Sequence, residues 1–239
     1  MMRLNRYLSL AGVCSRREAD RLIQQGRVSV NGQVVLSLGV RVESATDRIS
    51  LDGRQVILPE KSAYYLLHKP PGYLTTFSDP QGRRTIMDLI EGVSERVVPV
   101  GRLDLDAEGL LVLTNDGELA HRLAHPRFGI IKRYRVWVKG EPSRSTLASL
   151  RNGVELEDGQ ARPDNVQLIR RTRRGTVLEL ELHEGKKREV KRICAAIGHP
   201  VERLVRTVFG PLELGSLPRG AYRPLTDEEV RALRRAVSL

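Results

Sequence analysis

GRLDLDAEGLLVLTNDG, residues 101–117, carries the strongest structural signal in the chain. Leu110 to Leu113 is an unbroken apolar run of strand length, and it stops at the turn signal Asn115-Asp116-Gly117, so it reads as a buried strand. Immediately before it, Asp104, Asp106 and Glu108 form an acidic loop. A carboxylate poised between loop and strand can act as a nucleophile or base if a cation keeps it ionised and in place, and several cations follow downstream. Three acids in a loop are equally what an ordinary solvated turn looks like.

Moving outward, Tyr134, Val136 and Val138 alternate with Arg133, Arg135 and Trp137, and Leu178, Leu180 and Leu182 alternate with Glu179 and Glu181. Both segments read as half-buried strands whose polar halves face water or RNA. RRTRRG, residues 170–175, reads as a basic hairpin tip between strands. EGKKREVKRICAAIGHPVERLVR, residues 184–206, reads as a helix ending at Gly198. Val190, Ile193, Cys194 and Ile197 then lie on an apolar face, and Arg188, Lys191 and Arg192 on a cationic one. Its seven basic residues against three acids suit phosphate contacts, although an ordinary exposed helix has the same composition. Thr226 and Glu229 form a capping box for a last helix that docks through Val230, Leu233 and Val237. The fold class is α+β with a mostly antiparallel sheet.

Toward the amino terminus, Leu4, Tyr7, Leu8 and Ala11 make one helical stripe with Arg3 and Arg6 off it. Ser15 and Glu18 cap a second helix that carries Arg16, Arg17 and Arg21 and stops at Gly26. Asn31-Gly32 then marks a two-residue hairpin between Val28 and Val30 on one side and Val34 and Val35 on the other. A strand-like RQVIL follows Asp52-Gly53, and the boundary to a larger region falls near residue 60. Eight arginines and four acids in residues 1–50 leave this piece at +4, suited to binding. It resembles the alpha-L RNA-binding domain of the ribosomal protein S-four type.

Composition bounds the partner. Forty basic against 29 acidic side chains in 239 residues give +11, which points to a polyanion, with nucleic acid first. Cys14 and Cys194 are far apart and have no ligand neighbours, which excludes a zinc ribbon or a disulfide framework and fits a reducing cytosol. The amino terminus has no signal-peptide pattern, and no run approaches the roughly 18 apolar residues of a membrane span, so a cytoplasmic location without membrane contact is expected. Of the five histidines only His121 and His125 have helical ligand spacing, and without a third ligand they read as structural. No metal is assigned.

Four motifs, GRLDLDAEGLLVLTNDG, HKPPGYLTT, KRYRVWVKG and EGKKREVKRICAAIGHPVERLVR, together resemble the ribosomal RNA pseudouridine synthases of the RsuA/RluB group. With the amino-terminal module the likeness spans essentially the whole chain. It implies an RNA-binding domain over residues 1–60 and a catalytic domain over 61–239, in which helices flank a mostly antiparallel mixed sheet. It also implies that Asp104 is the catalytic aspartate and that Arg102 helps hold the target nucleotide out of its helix. Tyr134 would pack against the uracil ring, Lys191 would pair with the catalytic carboxylate, and Leu204 would line the base pocket. Relatives often carry Thr or a small residue at the places of Ala107 and Glu108, which bears on loop contacts and not on Asp104.

The basic residues at Arg3, Arg6, Arg16, Arg17, Arg21, Lys186, Lys187, Arg188 and Arg192 are the expected RNA contacts. The implied reaction cuts the bond from ribose to uracil N1, turns the base and rejoins it through C5, so no atoms enter or leave overall and no cofactor is expected. Extruding the base costs a few kcal/mol, offset by contacts in the pocket. The tail RLVRTVFGPLELGSLPRGAYRPLTDEEV is more similar to the large-subunit branch, which makes large-subunit 23S ribosomal RNA, or its assembly intermediate, the expected partner of a monomer. The alternatives are a small-subunit 16S enzyme, a non-catalytic ribosomal RNA-binding protein, and a glycosidase-type hydrolase built on paired carboxylates.

Overall fold

The first hairpin turns on Asn31 and Gly32, which sit at φ 51° and 84° in the computed structural model, the double left-handed turn that two-residue hairpins favour. It joins Val28–Val30 to Gln33–Val34, with Val30 opposite Gln33. A turn of the same sign pattern at Asp52 and Gly53 joins Ile49–Leu51 to Arg54–Gln55. The RQVIL strand is therefore shorter than the sequence suggested. Val56 turns into the core with a last ladder bond to Ile49 O, and Ile57 stands exposed.

Helices Leu4–Leu10 and Arg16–Gln24 bury Leu4, Tyr7 and Leu8, and Ala19, Leu22 and Ile23, against these strands. Ser15 Oγ accepts the Glu18 N–H at 3.2 Å, while the Glu18 carboxylate turns to Arg21. Cys14 is buried in the same core, and burial pushes its thiol up.

The structure describes residues 1–59, 61–173 and 175–239. Glu60, at the expected domain boundary, and Arg174, in the expected hairpin tip, lie outside the described residues. The chain divides into two compact units. One is Met1–Ala63 with Ser94–Arg96 and Asn115–Gly117, and the other is Tyr64–Val93 with Val97–Thr114 and Glu118–Leu239.

In the second unit, among the described residues, nine strands form one sheet. Seven of them run in the order Asn165–Thr172, Gly175–Leu182, Lys132–Lys139, Val201–Phe209, Glu108–Thr114, Tyr64–Lys69 and Tyr222–Pro224. The alternating segments pair as their patterns imply, with Tyr134 opposite Leu180 and Val136 opposite Leu178. Their polar sides answer each other: Arg133 meets Glu181 at 2.7 Å, and Arg135 meets Glu179 at 3.7 Å.

Where Val201–Phe209 meets Glu108–Thr114 the pairing is parallel, with Arg206 opposite Gly109, which makes the sheet mixed. Every residue of Glu108–Thr114 is buried. The run Asn115-Asp116-Gly117 ends that strand and then starts the helix Gly117–Ala124. One core gathers Leu66, Leu110, Val112, Leu119 and Phe209 together with Leu233 and Val237 near the carboxy end. The helix Asp227–Ala236 opens on the predicted reciprocal Thr226–Glu229 capping box. Among the described residues no helix is long and apolar enough to cross a membrane.

Candidate active site

Asp104 lies in the loop that leads into Glu108–Thr114, and much of what holds this loop comes from the HKPPGYLTT segment. Lys69 ends the strand Tyr64–Lys69 and is fully buried. Its ammonium donates to the carbonyls of Ala107 at 2.8 Å, Asp104 at 2.9 Å and Pro70 at 3.1 Å, with Leu105 O a fourth acceptor at 3.5 Å. Burial pushes this group down to about 8, against the pull of Asp106 and Asp104. Thr75 Oγ1 donates to Leu103 O at 2.7 Å, and the Gly72 N–H reaches Leu105 O at 2.7 Å. The two motifs are thus one object, the Asp104 loop tied down by the segment beneath it. The sequence reading assigned no role to Lys69, because its acceptors at Asp104, Leu105 and Ala107 are remote in the chain.

Arg102, Asp104, Tyr134 and Leu204 line a single cavity of about 170 Å³. That is the scale of the roughly 150 Å³ cavities that hold one six-membered ring. Two adjacent strands build much of its wall. Lys132 and Tyr134 come from one, Leu204 and Arg206 from the other, each pair two residues apart and so on one face of the sheet. Arg206 is buried, donates to Leu110 O at 2.8 Å, lies 5.1 Å from the Phe209 ring centroid, and keeps Nη2 without a partner. Lys132 Nζ donates to the carbonyls of Ile130, His183 and Glu184, and burial pushes it down to about 8.

Two readings of the sequence are corrected here, the place of Glu108 and the start of the helix near residue 184. Glu108 is not part of the acidic loop. It begins the buried strand, where Arg219 at 2.7 Å, Arg203 at 3.0 Å and His68 at 3.2 Å surround it. Burial works against its charge, and the two guanidinium groups outweigh that, so its carboxyl is held below the ordinary range.

Lys191 stands in ion-pair range of Asp104 and binds Asp106 more closely. Its Nζ is 3.9 Å from Asp104 Oδ2 and makes its closest contact with Asp106 Oδ1, which holds the Asp106 carboxyl low. The helix expected from residue 184 is Glu189–Ala196, because Arg188 at its N-cap takes φ 52°. Lys186, Lys187 and Arg188 therefore precede the helix and share no helical face with Lys191 and Arg192. Cys194, on this helix, is fully buried, and burial pushes its thiol up to about 12.

The expected RNA contacts divide by position. Lys186 and Arg188 line the cavity with Asp104, and Lys187 is exposed. The Arg192 guanidinium forks onto Asp158 at 2.7 and 3.0 Å, and Lys186 Nζ meets Glu184 at 2.9 Å. In the first unit Arg3, Arg16, Arg17 and Arg21 are exposed and Arg6 is half-buried. Arg21 is paired with Glu18 at 3.2 Å.

Residues 63–196 match the family described as RNA pseudouridylate synthase, and residues 2–49 match the S4 domain. The chain is 49% identical over 239 residues to an uncharacterized RNA pseudouridine synthase of Aquifex aeolicus, covering 100% of this chain and 96% of that one. It is 42% identical over 236 residues to the ribosomal large subunit pseudouridine synthase B of Bacillus subtilis, covering 98% and 96%. A crystal structure of a pseudouridylate synthase superposes with a TM-score of 0.68 at 29% identity, covering 98% of this chain and 100% of that chain.

Proposed function

The chain belongs to the RNA pseudouridylate synthase family, with an S4 domain ahead of its catalytic part, and on that premise we propose that the uridine it isomerises lies in large-subunit ribosomal RNA, with Asp104 as the reacting carboxylate. The identity to the Bacillus subtilis large-subunit enzyme supports the choice of RNA. The observation that carries the site is the convergence of Asp104, Tyr134, Leu204 and Arg102 on one ring-sized cavity, with the Lys191 ammonium 3.9 Å from Asp104.

The target base is extruded from the RNA fold and enters this cavity. Tyr134 packs against the uracil and Leu204 closes the apolar side, while Arg102, exposed at the rim, takes the place the base has left. Asp104 acts at the reacting centre as the bond from ribose C1′ to N1 breaks. A bond from C1′ to C5 forms, the hydrogen at C5 leaves to solvent, and N1 gains a proton, so the net change is an isomerisation. Lys191 balances the charge of Asp104 as water is excluded. Arg3, Arg6, Arg16, Arg17 and Arg21 serve the RNA backbone through the S4 domain.

The test uses transcripts of each subunit's ribosomal RNA carrying tritium at uracil C5, because rejoining through C5 must expel that hydrogen. Wild-type protein is expected to release label from large-subunit transcripts or precursor particles, and Asp104→Asn to release none. Release confined to small-subunit RNA would refute the subunit, and undiminished release by Asp104→Asn would refute the carboxylate.

A further inference from the structure

One cation stands between two carboxylates in the loop, and it favours the one the reaction leaves unassigned. Lys191 contacts Asp106 Oδ1 directly and keeps 3.9 Å from Asp104 Oδ2. The cation is the sheltered member of the group, its side chain 13% exposed against 38% for Asp104 and 64% for Asp106. We infer that Asp106 is a positioning residue for Lys191, holding the ammonium within ion-pair range of Asp104 without letting it hydrogen-bond there.

Both supports of this arrangement are fixed. From below, Lys69 clamps the carbonyls of Asp104 and Ala107, so the carboxylates of Asp104 and Asp106 leave the loop at set places. From the side, Val190, Ile193 and Cys194 anchor the helix Glu189–Ala196, which limits where the Lys191 stem can reach. An N–H···O bond needs about 2.7–3.2 Å, so 3.9 Å retains the Coulomb attraction and leaves the Asp104 oxygen uncapped. A lysine bonded directly to Asp104 would take up one of the carboxylate's lone-pair sites and draw its charge toward the ammonium. Asp106 draws the charge aside while its own carboxylate stays at the solvent edge.

This inference rests on Asp104 as the reacting carboxylate, and the experiment separates the two claims. Single-turnover tritium release and RNA affinity would be measured for wild type, Asp104→Asn, Asp106→Asn, Asp106→Glu, Lys191→Met and the double variant Asp106→Asn/Lys191→Met, with thermal melts as a check on folding. The release assay with Asp104→Asn tests the underlying reading alone.

Asp106→Asn is expected to lose about 10- to 100-fold in rate, on the scale of a group misplaced by about 1 Å, with RNA affinity within about twofold. Asp106→Glu should recover most of that rate. Once Lys191 is already methionine, adding Asp106→Asn should change the rate by less than about twofold, since nothing is left to position. An Asp106→Asn rate equal to wild type would overturn the inference. So would an equal loss in the two backgrounds, because Asp106 would then act independently of Lys191.

Discussion

Replacing Gly109 with alanine tests the seam on which the site is hung. Gly109 lies opposite Arg206 in the parallel pairing, at φ 118°. A Cβ there would fall 2.3 Å from Arg206 O, 2.6 Å from its N and 2.9 Å from its C, all backbone atoms that no side-chain rotation can move. A carbon–oxygen contact needs about 3.3 Å, so the strands must part by about 1 Å. Left-handed backbone costs a non-glycine residue roughly 1–2 kcal/mol, and crowding in a packed core adds about 1–3 kcal/mol.

Gly159 supplies the control, because at φ 101° its Cβ would meet nothing within 4 Å. Gly159→Ala should therefore lose only the backbone share. Urea unfolding followed by Trp137 fluorescence would give both values, and the expected gap is about 1–3 kcal/mol. Parting the strands also moves Leu204 and Arg206 relative to Asp104, so tritium release should fall on the order of 10²-fold in folded Gly109→Ala. Equal stability losses for the two variants, or full activity in Gly109→Ala, would refute the account of the seam.

Exchanging Arg16 and Arg17 together for glutamine should lower the slope of log affinity against log salt by about 1.4–1.8 while leaving single-turnover release at saturating RNA unchanged; a salt titration with an unaltered slope would remove both from the RNA contact. Lys69 should make the protein more stable as pH rises from about 8 toward the ordinary lysine value near 10.4, because in that window the unfolded chain holds a proton that the folded chain has shed. The gain from Lys69 approaches about 3 kcal/mol; Lys132 adds to it with the same sign and the raised thiols of Cys14 and Cys194 oppose it, so the Lys69 share is the difference between wild type and Lys69→Met when urea unfolding is compared across that range. Glu108→Gln should cost about 2 kcal/mol at neutral pH, below the usual figure for breaking a buried pair because Arg203 and Arg219 remain about half exposed and can rehydrate. Since the folded carboxyl is held below its ordinary value, that stabilisation is present above about pH 4.5 and fades in acid, so the variant and wild type should converge there in urea unfolding.

What was legible in the chain was mostly local. Asn31-Gly32 dictates its own turn, Thr226 and Glu229 cap each other three residues apart, and Leu178, Leu180 and Leu182 announce a face by alternation alone. Asp104, Tyr134, Leu204 and Arg102 were reachable through motif likeness, and the fold brings them to one cavity. What stayed hidden depends on pairings far apart in sequence. Glu108 reads as a loop acid until Arg203 and Arg219 are seen to close on it, and Lys69 carries no signal of its own until the carbonyls it clamps are found. The left-handed N-cap at Arg188 is an uncommon choice for a non-glycine residue, so a periodicity argument runs the helix too early. The preference of Lys191 for Asp106 over Asp104 is a difference in reach between side chains on one loop, which no pattern of residue types encodes.

The two buried cysteines have a use unrelated to RNA. Cys14 belongs to the first compact unit and Cys194 to the second, and each is shut away from solvent with its thiol pushed toward the unreactive form. A thiol-blocking reagent can therefore mark each only when its own surroundings open. Peptide mapping of which cysteine is blocked, and how fast, turns the unmodified chain into a pair of independent clocks. Matching rates would mean that the two units open in one event, and separate rates would give each its own opening frequency without any probe having been introduced.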